Sequence, residues 1–377
     1  MIHLPPFVAD IIFYVFCAII AVQAFYYLYF FRRLAFYKEP LKPASLQYPV
    51  SVIVCARDEA QNLTNYLPGI LVQDYRTTHE VIVVNDNSID DSKYVLDEFK
   101  KSFKELNHIE LTQEAKMISG KKFPLSIGIK SAKHEIVLLT DADCVPASEN
   151  WMFKMQDAYS SSAGIEVVLG YGAYNKRPGI LNKLIRFETF HTALQYFSYA
   201  LAGNPYMGVG RNLSYKRDMF MNNKGFSSIN QIPSGDDDLF INQVANKNNT
   251  AIVIDPEAHT LSEPKHTWAE WMNQKYRHYT TAKYYKSSHK FWLGLYSATL
   301  FLIYPMLIAA AIFYCWWLAL AVFGVRLLLQ GIVLYKSMQK LNEKDLWPYF
   351  ILFDLWMPLY FLFTLPAVWK KPQKNWS

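Results

Sequence analysis

The chain has 377 residues and a net charge of +6, is 52% hydrophobic and 16% aromatic, and is long enough for one large domain or two with a substantial core. Its four cysteines are too few and too scattered for a disulfide framework, and no C-x-x-C or Cys/His zinc spacing occurs, which suits reduced thiols in a cytoplasmic domain. The basic excess gathers beside apolar segments, so it reads as juxtamembrane charge and excludes a nucleic-acid surface.

Residues 7–31 are almost free of charge, with Asp10 near their start, and exceed the roughly 20 apolar residues that cross a bilayer. A cleaved signal peptide would need a basic start, a shorter apolar region and a small-residue cleavage site. Here the basic residues follow instead, at Arg32, Arg33, Lys38 and Lys42. The positive-inside rule then puts the amino terminus outside and the next part of the chain in the cytoplasm, at an inner or plasma membrane. Residues 1–33 are read as a transmembrane helix and 34–49, with Pro40 and Pro43, as a linker.

Residues 50–262 carry the mixed charge of a soluble domain. A buried strand over 50–56 leads through Arg57, Asp58 and Glu59 into a helix with Leu63, Tyr66, Leu67, Ile70 and Leu71 at helical spacing. A second strand, 80–85, runs into a loop crowded with capping residues, and a helix over 93–103 follows. A short strand near 109–111 and a helical stretch over 121–131 precede a β-favouring run, 136–140, that ends in Asp141-Ala142-Asp143. Alternate side chains of a strand point the same way, so Asp141 and Asp143 are expected to face a common point. Two converging carboxylates suit Mg2+ or Mn2+ held together with substrate phosphates, although the same tripeptide also suits an Asx-type turn. Strands alternating with helices indicate βαβ units and a mainly parallel, Rossmann-like sheet, whose ligands bind at the carboxyl ends of the strands. Arg57, Asp58, Asp86, Asp141 and Asp143 all fall there, and without G-x-G-x-x-G or a P-loop a nucleotide would rely on carboxylates and a metal.

Beyond this, 181–201 reads as a helix against the domain or the membrane surface, and 203–212 as a glycine-punctuated loop that either approaches a ligand or simply turns. Leu213-Ser214-Tyr215 begins another element, with Lys216, Arg217 and Asp218 as a surface turn. Asp236, Asp237 and Asp238 enter an amphipathic helix; capping needs one or two of them, and crowding three raises the pKa of at least one, which could then take a proton. Residues 263–290, dense in aromatic and basic side chains, suit an interfacial helix in which Gln274 and Arg277 stand one turn apart. The apolar stretch 291–335 would be about 68 Å long as one helix, so a transmembrane hairpin turning near 314–317 is expected. A cytoplasmic loop, 336–347, carries Lys336, Lys340 and Lys344; 348–369, with three prolines and Asp354, crosses or re-enters; 370–377 is a tail containing Lys370, Lys371 and Lys374.

These features, in this order, resemble glycosyltransferase family 2, the membrane-bound inverting enzymes with a GT-A fold. The resemblance covers roughly residues 50–279. Val52-Ile53-Val54-Cys55-Ala56-Arg57-Asp58-Glu59 is similar to the family's opening strand and A-R-N-E turn, with Asp58 in place of Asn. Val83-Val84-Asn85-Asp86-Asn87-Ser88-Ile89-Asp90-Asp91 is similar to V-D-D-x-S-x-D-x-T, with Asp86 at the position that contacts the nucleotide base. Gly120-Lys121-Lys122, Leu125 and Gly128-Ile129 resemble G-K-x-x-A-L-N-x-G, and Asp141-Ala142-Asp143 matches the D-x-D that holds metal and diphosphate. Gly208-Val209-Gly210-Arg211-Asn212 looks like the acceptor loop. Ser234-Gly235-Asp236-Asp237-Asp238-Leu239 aligns with T-E-D-x-D-L, and Gln274-x-x-Arg277-His278 with Q-x-x-R-W, with Gly235 and His278 as departures.

The resemblance implies an α/β GT-A-like domain flanked by transmembrane helices at both ends. Donor contacts would fall on Ala56, Arg57, Glu59, Asp86, Lys122, Asp141, Asp143, Gln274 and Arg277, with Asp141 and Asp143 as metal ligands for Mg2+ or Mn2+. Acceptor contacts would fall on Gly210, Arg211, Asn212 and His278, and the catalytic base on Asp236, with Asp237 the alternative. The expected partners are a nucleotide-sugar, a lipid or glycan acceptor and the membrane, with no nucleic acid and no obligatory protein. Transfer onto a lipid-linked or glycolipid acceptor in cell-envelope glycan synthesis is the preferred activity. A processive polysaccharide synthase and a non-catalytic nucleotide-sugar-binding subunit are its rivals.

Overall fold

A computed structural model describes residues 5–40, 45–112 and 120–370, and the chain divides into two compact units, 1–38 with 285–366 and 39–284 with 367–377. Linker residues Lys42 and Pro43 and the tail residues Lys371 and Lys374 lie outside the described residues. The first helix, α1 (Pro6–Phe25), opens on a proline at a position where its missing N–H costs nothing, and continues through a π-helical turn (Tyr26–Phe31) into α2 (Arg32–Ala35).

The sheet unit begins with β1 (Val50–Ala56), α3 (Ala60–Leu71), β2 (His79–Asp86), α4 (Ser92–Ser102), β3 (Leu106–Leu111), α5 (Lys122–Ser131) and β4 (Ile136–Asp141). The four strands are parallel in the order β3-β2-β1-β4. Every residue of β1 is buried, as expected for a strand covered on both faces. Register aligns Ala56 with Asn85 and Cys55 with Asp141, so the strands end level and present Arg57, Asp86 and Asp141 along one edge.

After β4 come β5 (Cys144–Pro146), α6 (Trp151–Asp157), β6 (Val167–Leu169), β7 (Gly172–Tyr174), α7 (Ile180–Leu201), β8 (Leu213–Lys216), α8 (Arg217–Asn222), α9 (Asp238–Val244), β9 (Thr250–Ile252), β10 (Thr260–Ser262) and α10 (Trp268–Tyr279). Strand β8 runs antiparallel to β4 and β6, which extends the main sheet to seven strands, while β5, β10 and β7 form a second, three-stranded sheet.

Two expectations need correction. Strand β4 stops at Asp141, and Ala142 and Asp143 form a turn, so the two acids converge by reversal of the chain rather than by strand alternation. Arg217 and Asp218 start α8 instead of a surface turn. Of the two placements expected for 181–201, burial of Arg186, Glu188 and His191 in α7 supports the one against the domain.

The chain ends in α11 (Ser287–Ala310), a π-helical turn (Ala311–Cys315), α12 (Trp316–Lys340) and α13 (Phe350–Thr364). Cys315 is extended (φ −155°, ψ 112°), and there the chain reverses. Tyr304 and Phe323 consequently have ring centroids 5.9 Å apart, where 19 residues of continuous helix would separate them by about 28 Å. Among the described residues, three stretches, Pro6–Ala35, Ser287–Lys340 and Lys344–Trp369, are long and apolar enough to cross a membrane.

Inside this apolar helical unit lies a buried polar cluster. The Arg326 guanidinium donates to both Asp354 oxygens (2.5 and 2.7 Å) and to Gln330 Oε1 (2.7 Å). Asp354 also accepts from Gln330 Nε2 (2.7 Å) and the Tyr304 hydroxyl (2.5 Å), while Gln23 donates to Thr299 at 2.8 Å. Helices α1, α11, α12 and α13 are thereby joined by groups that would be costly to bury singly.

Candidate active site

The opening turn after β1 depends on an unusual backbone. Asp58 is left-handed (φ 55°), a conformation that Asn, Asp and Gly tolerate better than other residues, which accounts for an Asx residue at this place. Its carboxylate accepts from Ile89 N at 2.8 Å, its own N–H donates to Ser88 Oγ at 2.8 Å, and Ala60 N donates to Asp90 Oδ2 at 2.9 Å. The loops after β1 and β2 are thus stitched together, with buried Ala56 and Asp86 at their bases and Arg57 between them. Glu59 accepts from Asn62 Nδ2 at 2.5 Å; burial, with Asp143 and Asp141 close by, pushes its carboxyl up.

At the end of β4, ligand atoms of Asp141, Asp143 and Cys144 lie within 4.8 Å of one another. Burial and the charge of Asp141 raise the Asp143 pKa, opposed by Arg211 and Lys121. Burial also pushes the Cys144 thiol well up, so it is neutral, and it contacts Ser262 Oγ at 2.9 Å. Two facing carboxylates and a neutral thiol form an oxygen-rich donor set that fits a hard divalent cation.

The expected donor contact Lys122 does not face this pair. Its side chain is fully buried, and its ammonium donates to the carbonyls of Ile232 and Ser234 (2.5 Å to the latter), bracing the loop that leads to Asp236. The neighbouring Lys121 is the lysine that pairs with Asp141. Burial alone would lower its pKa, yet Asp141, Cys55 and Asp236 hold it well above the ordinary range, so it stays charged. Gly120 makes this possible: at φ +73° a Cβ there would lie 2.2 Å from the Pro233 carbonyl oxygen, so only glycine lets the two loops meet. Sequence reading missed Lys121 because a Lys-Lys pair gives no sign of which member turns inward.

The three aspartates separate by role. Asp238 accepts from the Thr281 hydroxyl at 2.5 Å. Asp237 caps α9, accepting from Asp238 N at 2.7 Å, and takes Gly210 N at 2.8 Å, which ties down the glycine loop. Burial, followed by the charges of Asp236 and Asp238, lifts its pKa to about 8. Asp236 is partly exposed and acts electrostatically on Lys121 and Lys122.

The acceptor-loop residues also divide. Asn212 is fully buried; it accepts from Trp151 Nε1 at 3.0 Å and donates to the Tyr171 and Ala258 carbonyls at 2.9 and 2.8 Å, so its amide serves as an internal strut. Arg211 stacks on Tyr174 (4.4 Å to the ring centroid) and donates to the Gly172 carbonyl at 2.6 Å. A Cβ on Gly172 would come within 2.3 Å of its Nε. Gln274 Nε2 donates to the Tyr174 hydroxyl at 3.4 Å, linking α10 to the same ring. His278 is exposed, yet the protein packed around it and the charges of Lys275, Arg277 and Arg211 hold its imidazole well below the usual range, so it is neutral. Among the described residues, Arg57 Nε, Ser234 Oγ and Gln274 Oε1 are buried polar atoms without a hydrogen-bond partner, as expected of groups waiting for a polar ligand.

Two curated Staphylococcus epidermidis sequences described as poly-beta-1,6-N-acetyl-D-glucosamine synthase are 27% identical over 139 residues, 37% of this chain and 32% of each relative. The match thus spans about a third of the length of those relatives. A solved mannosyltransferase of Pyrobaculum calidifontis in complex with GDP-Man and Mn2+ superposes with a TM-score of 0.56 at 20% identity, covering 92% of this chain and 99% of that one, which shows a shared GT-A-like fold. The profile of the family described as Glycosyltransferase like family 2 matches residues 48–281, more than half of the chain, and the protein belongs to that family.

Proposed function

We propose that the protein is a membrane-bound, inverting glycosyltransferase that moves a sugar from a nucleotide-sugar to a lipid-linked or glycolipid acceptor in cell-envelope glycan synthesis. Its sheet unit would lie in the cytoplasm, and it would use Mg2+ or Mn2+. The observation that carries this reading is the convergence of Asp141, Asp143, Lys121 and Asp236 at the carboxyl ends of the parallel strands.

Arg57, Glu59 and Asp86 edge the part of the cleft suited to the nucleotide, and Asp141 and Asp143 would hold the cation. That cation, when bound, neutralises charge growing on the diphosphate as the glycosidic bond breaks. Lys121, Gln274 and Arg277 would add positive charge and hydrogen bonds to the diphosphate. Asp236 would accept the proton of the acceptor hydroxyl while that hydroxyl's oxygen bonds to the anomeric carbon and the carbon–oxygen bond to the diphosphate breaks, inverting the centre. Both Asp237 oxygens already accept backbone N–H groups, from Gly210 and Asp238, which favours Asp236 as the base. Gly210, Arg211 and neutral His278 border the acceptor side.

The likeness to the polyglucosamine synthases favours one second reading, a processive polymerase. Radiolabelled nucleotide-sugar supplied to membranes separates the two. Label in the organic extract supports single addition to lipid, and label in high-mass material supports the polymerase. No metal-dependent consumption of any nucleotide-sugar would overturn both.

A further inference from the structure

Helix α10 carries Gln274, Arg277 and His278, and a second set of contacts holds it from behind. Lys275 has a side chain only 8% exposed, and its ammonium pairs with Glu188 of α7, itself 6% exposed. The other Glu188 oxygen accepts from Thr192 Oγ1 at 3.3 Å. Beyond the end of the helix, Thr281 reaches Asp238 at 2.5 Å, so the helix that presents Arg277 is tied to the acid cluster that contains Asp236.

The angular arrangement gives the buried pair its meaning. At 3.6 residues per turn, Gln274, Arg277 and His278 occupy an arc of about 100°, and Lys275 and fully buried Trp271 lie on the adjoining arc. If α10 needed only to be buried on α7, an apolar side chain at 275 would do so without desolvating a charge. A rotation that separated Lys275 from Glu188 would leave two charges buried without partners, a penalty an apolar contact would not impose, and a turn of one residue would also carry Arg277 out of its arc.

We infer that Glu188 and Lys275 are positioning residues, whose ion pair sets the rotation of α10 so that Gln274, Arg277 and His278 face the cleft. The pair touches neither donor nor acceptor and acts through those three residues. Its functional half rests on the glycosyl-transfer reading.

The test is the double variant Glu188→Gln/Lys275→Met in the full-length, detergent-purified protein, which removes both charges and leaves no buried ion alone. Its melting temperature should stay near the wild-type value. Turnover should fall by about 10- to 100-fold with a much smaller change in donor KM, the expected result of misplacing groups that stabilise the leaving diphosphate. Backbone amides of 268–279 should exchange hydrogen faster. Lys275→Arg, which preserves the pair, should retain turnover; if the double variant does not fold, Glu188→Asp, which shortens the arm by one methylene, is compared in the same way. Wild-type turnover, or unchanged exchange in α10, overturns the inference. If the wild-type protein consumes no nucleotide-sugar, the proposed function fails, and the exchange comparison still decides whether the pair holds the helix.

Discussion

Asp236 and Asp237 are adjacent carboxylates, and their different contacts predict different replacement phenotypes. Asp236→Asn removes the proposed proton acceptor and breaks no hydrogen bond found among the described residues, so kcat should fall by roughly 10²- to 10⁴-fold, or about 2.7–5.4 kcal/mol at 1.36 kcal/mol per decade, with donor binding retained. Asp237→Asn acts differently. Its two oxygens take the N–H groups of Gly210 and Asp238, and an amide has a single acceptor oxygen, so one N–H is left wanting at a cost of about 1–3 kcal/mol of stability. Because Asp237, with a pKa of about 8, is already mostly neutral at pH 7, the amide reproduces its charge, and kcat should fall less than about tenfold. The assay is initial-rate transfer from radiolabelled donor with Mn2+, accompanied by thermal melting with and without nucleotide. Equal losses in two equally folded variants, or wild-type turnover in Asp236→Asn, would refute the division of roles.

Other outcomes follow from the same contacts. A carboxyl raised in the folded state stabilises it fully below the unfolded pKa near 4, and that contribution is lost as the pH rises through about 8. The melting temperature of the wild type should therefore decline more than that of Asp237→Asn across this window, and parallel curves would contradict it. Lys121→Met should weaken nucleotide-sugar binding and leave melting of the ligand-free protein nearly unchanged, whereas Lys122→Met should lower melting because two carbonyls lose their donor; thermal shift distinguishes the two patterns. Chelation with EDTA should abolish transfer and added Mn2+ restore it; undiminished transfer in EDTA would remove Asp141 and Asp143 as metal ligands. Arg326→Leu leaves Asp354 buried without its cation and should cost about 3–5 kcal/mol, most of it recovered in Arg326→Leu/Asp354→Leu; a double variant no more stable than the single would refute this account of the cluster.

What the sequence by itself determined is what local pattern controls. Periodicity and β-branched runs located the first two strands and their helices, as in Val50–Ala56 and Ala60–Leu71, because burial on both faces leaves a continuous apolar signature. The family motifs located Asp141, Asp143 and the acid cluster, since chemistry fixes residue type and spacing. Tertiary structure decided which neighbours of like character turn inward. Lys121 and Lys122 are indistinguishable in sequence, and a glycine at φ +73° beside Pro233 sends one to the acid pair and the other to loop carbonyls. Asn212 resembles a loop ligand until Trp151, Tyr171 and Ala258 use its amide. Glu188 and Lys275, 87 residues apart in number, carry no mutual signal at all, and Arg326 and Asp354 meet only when α12 and α13 pack. A buried charge requires a partner, but any helix of the fold can supply it, so the choice belongs to packing and not to spacing.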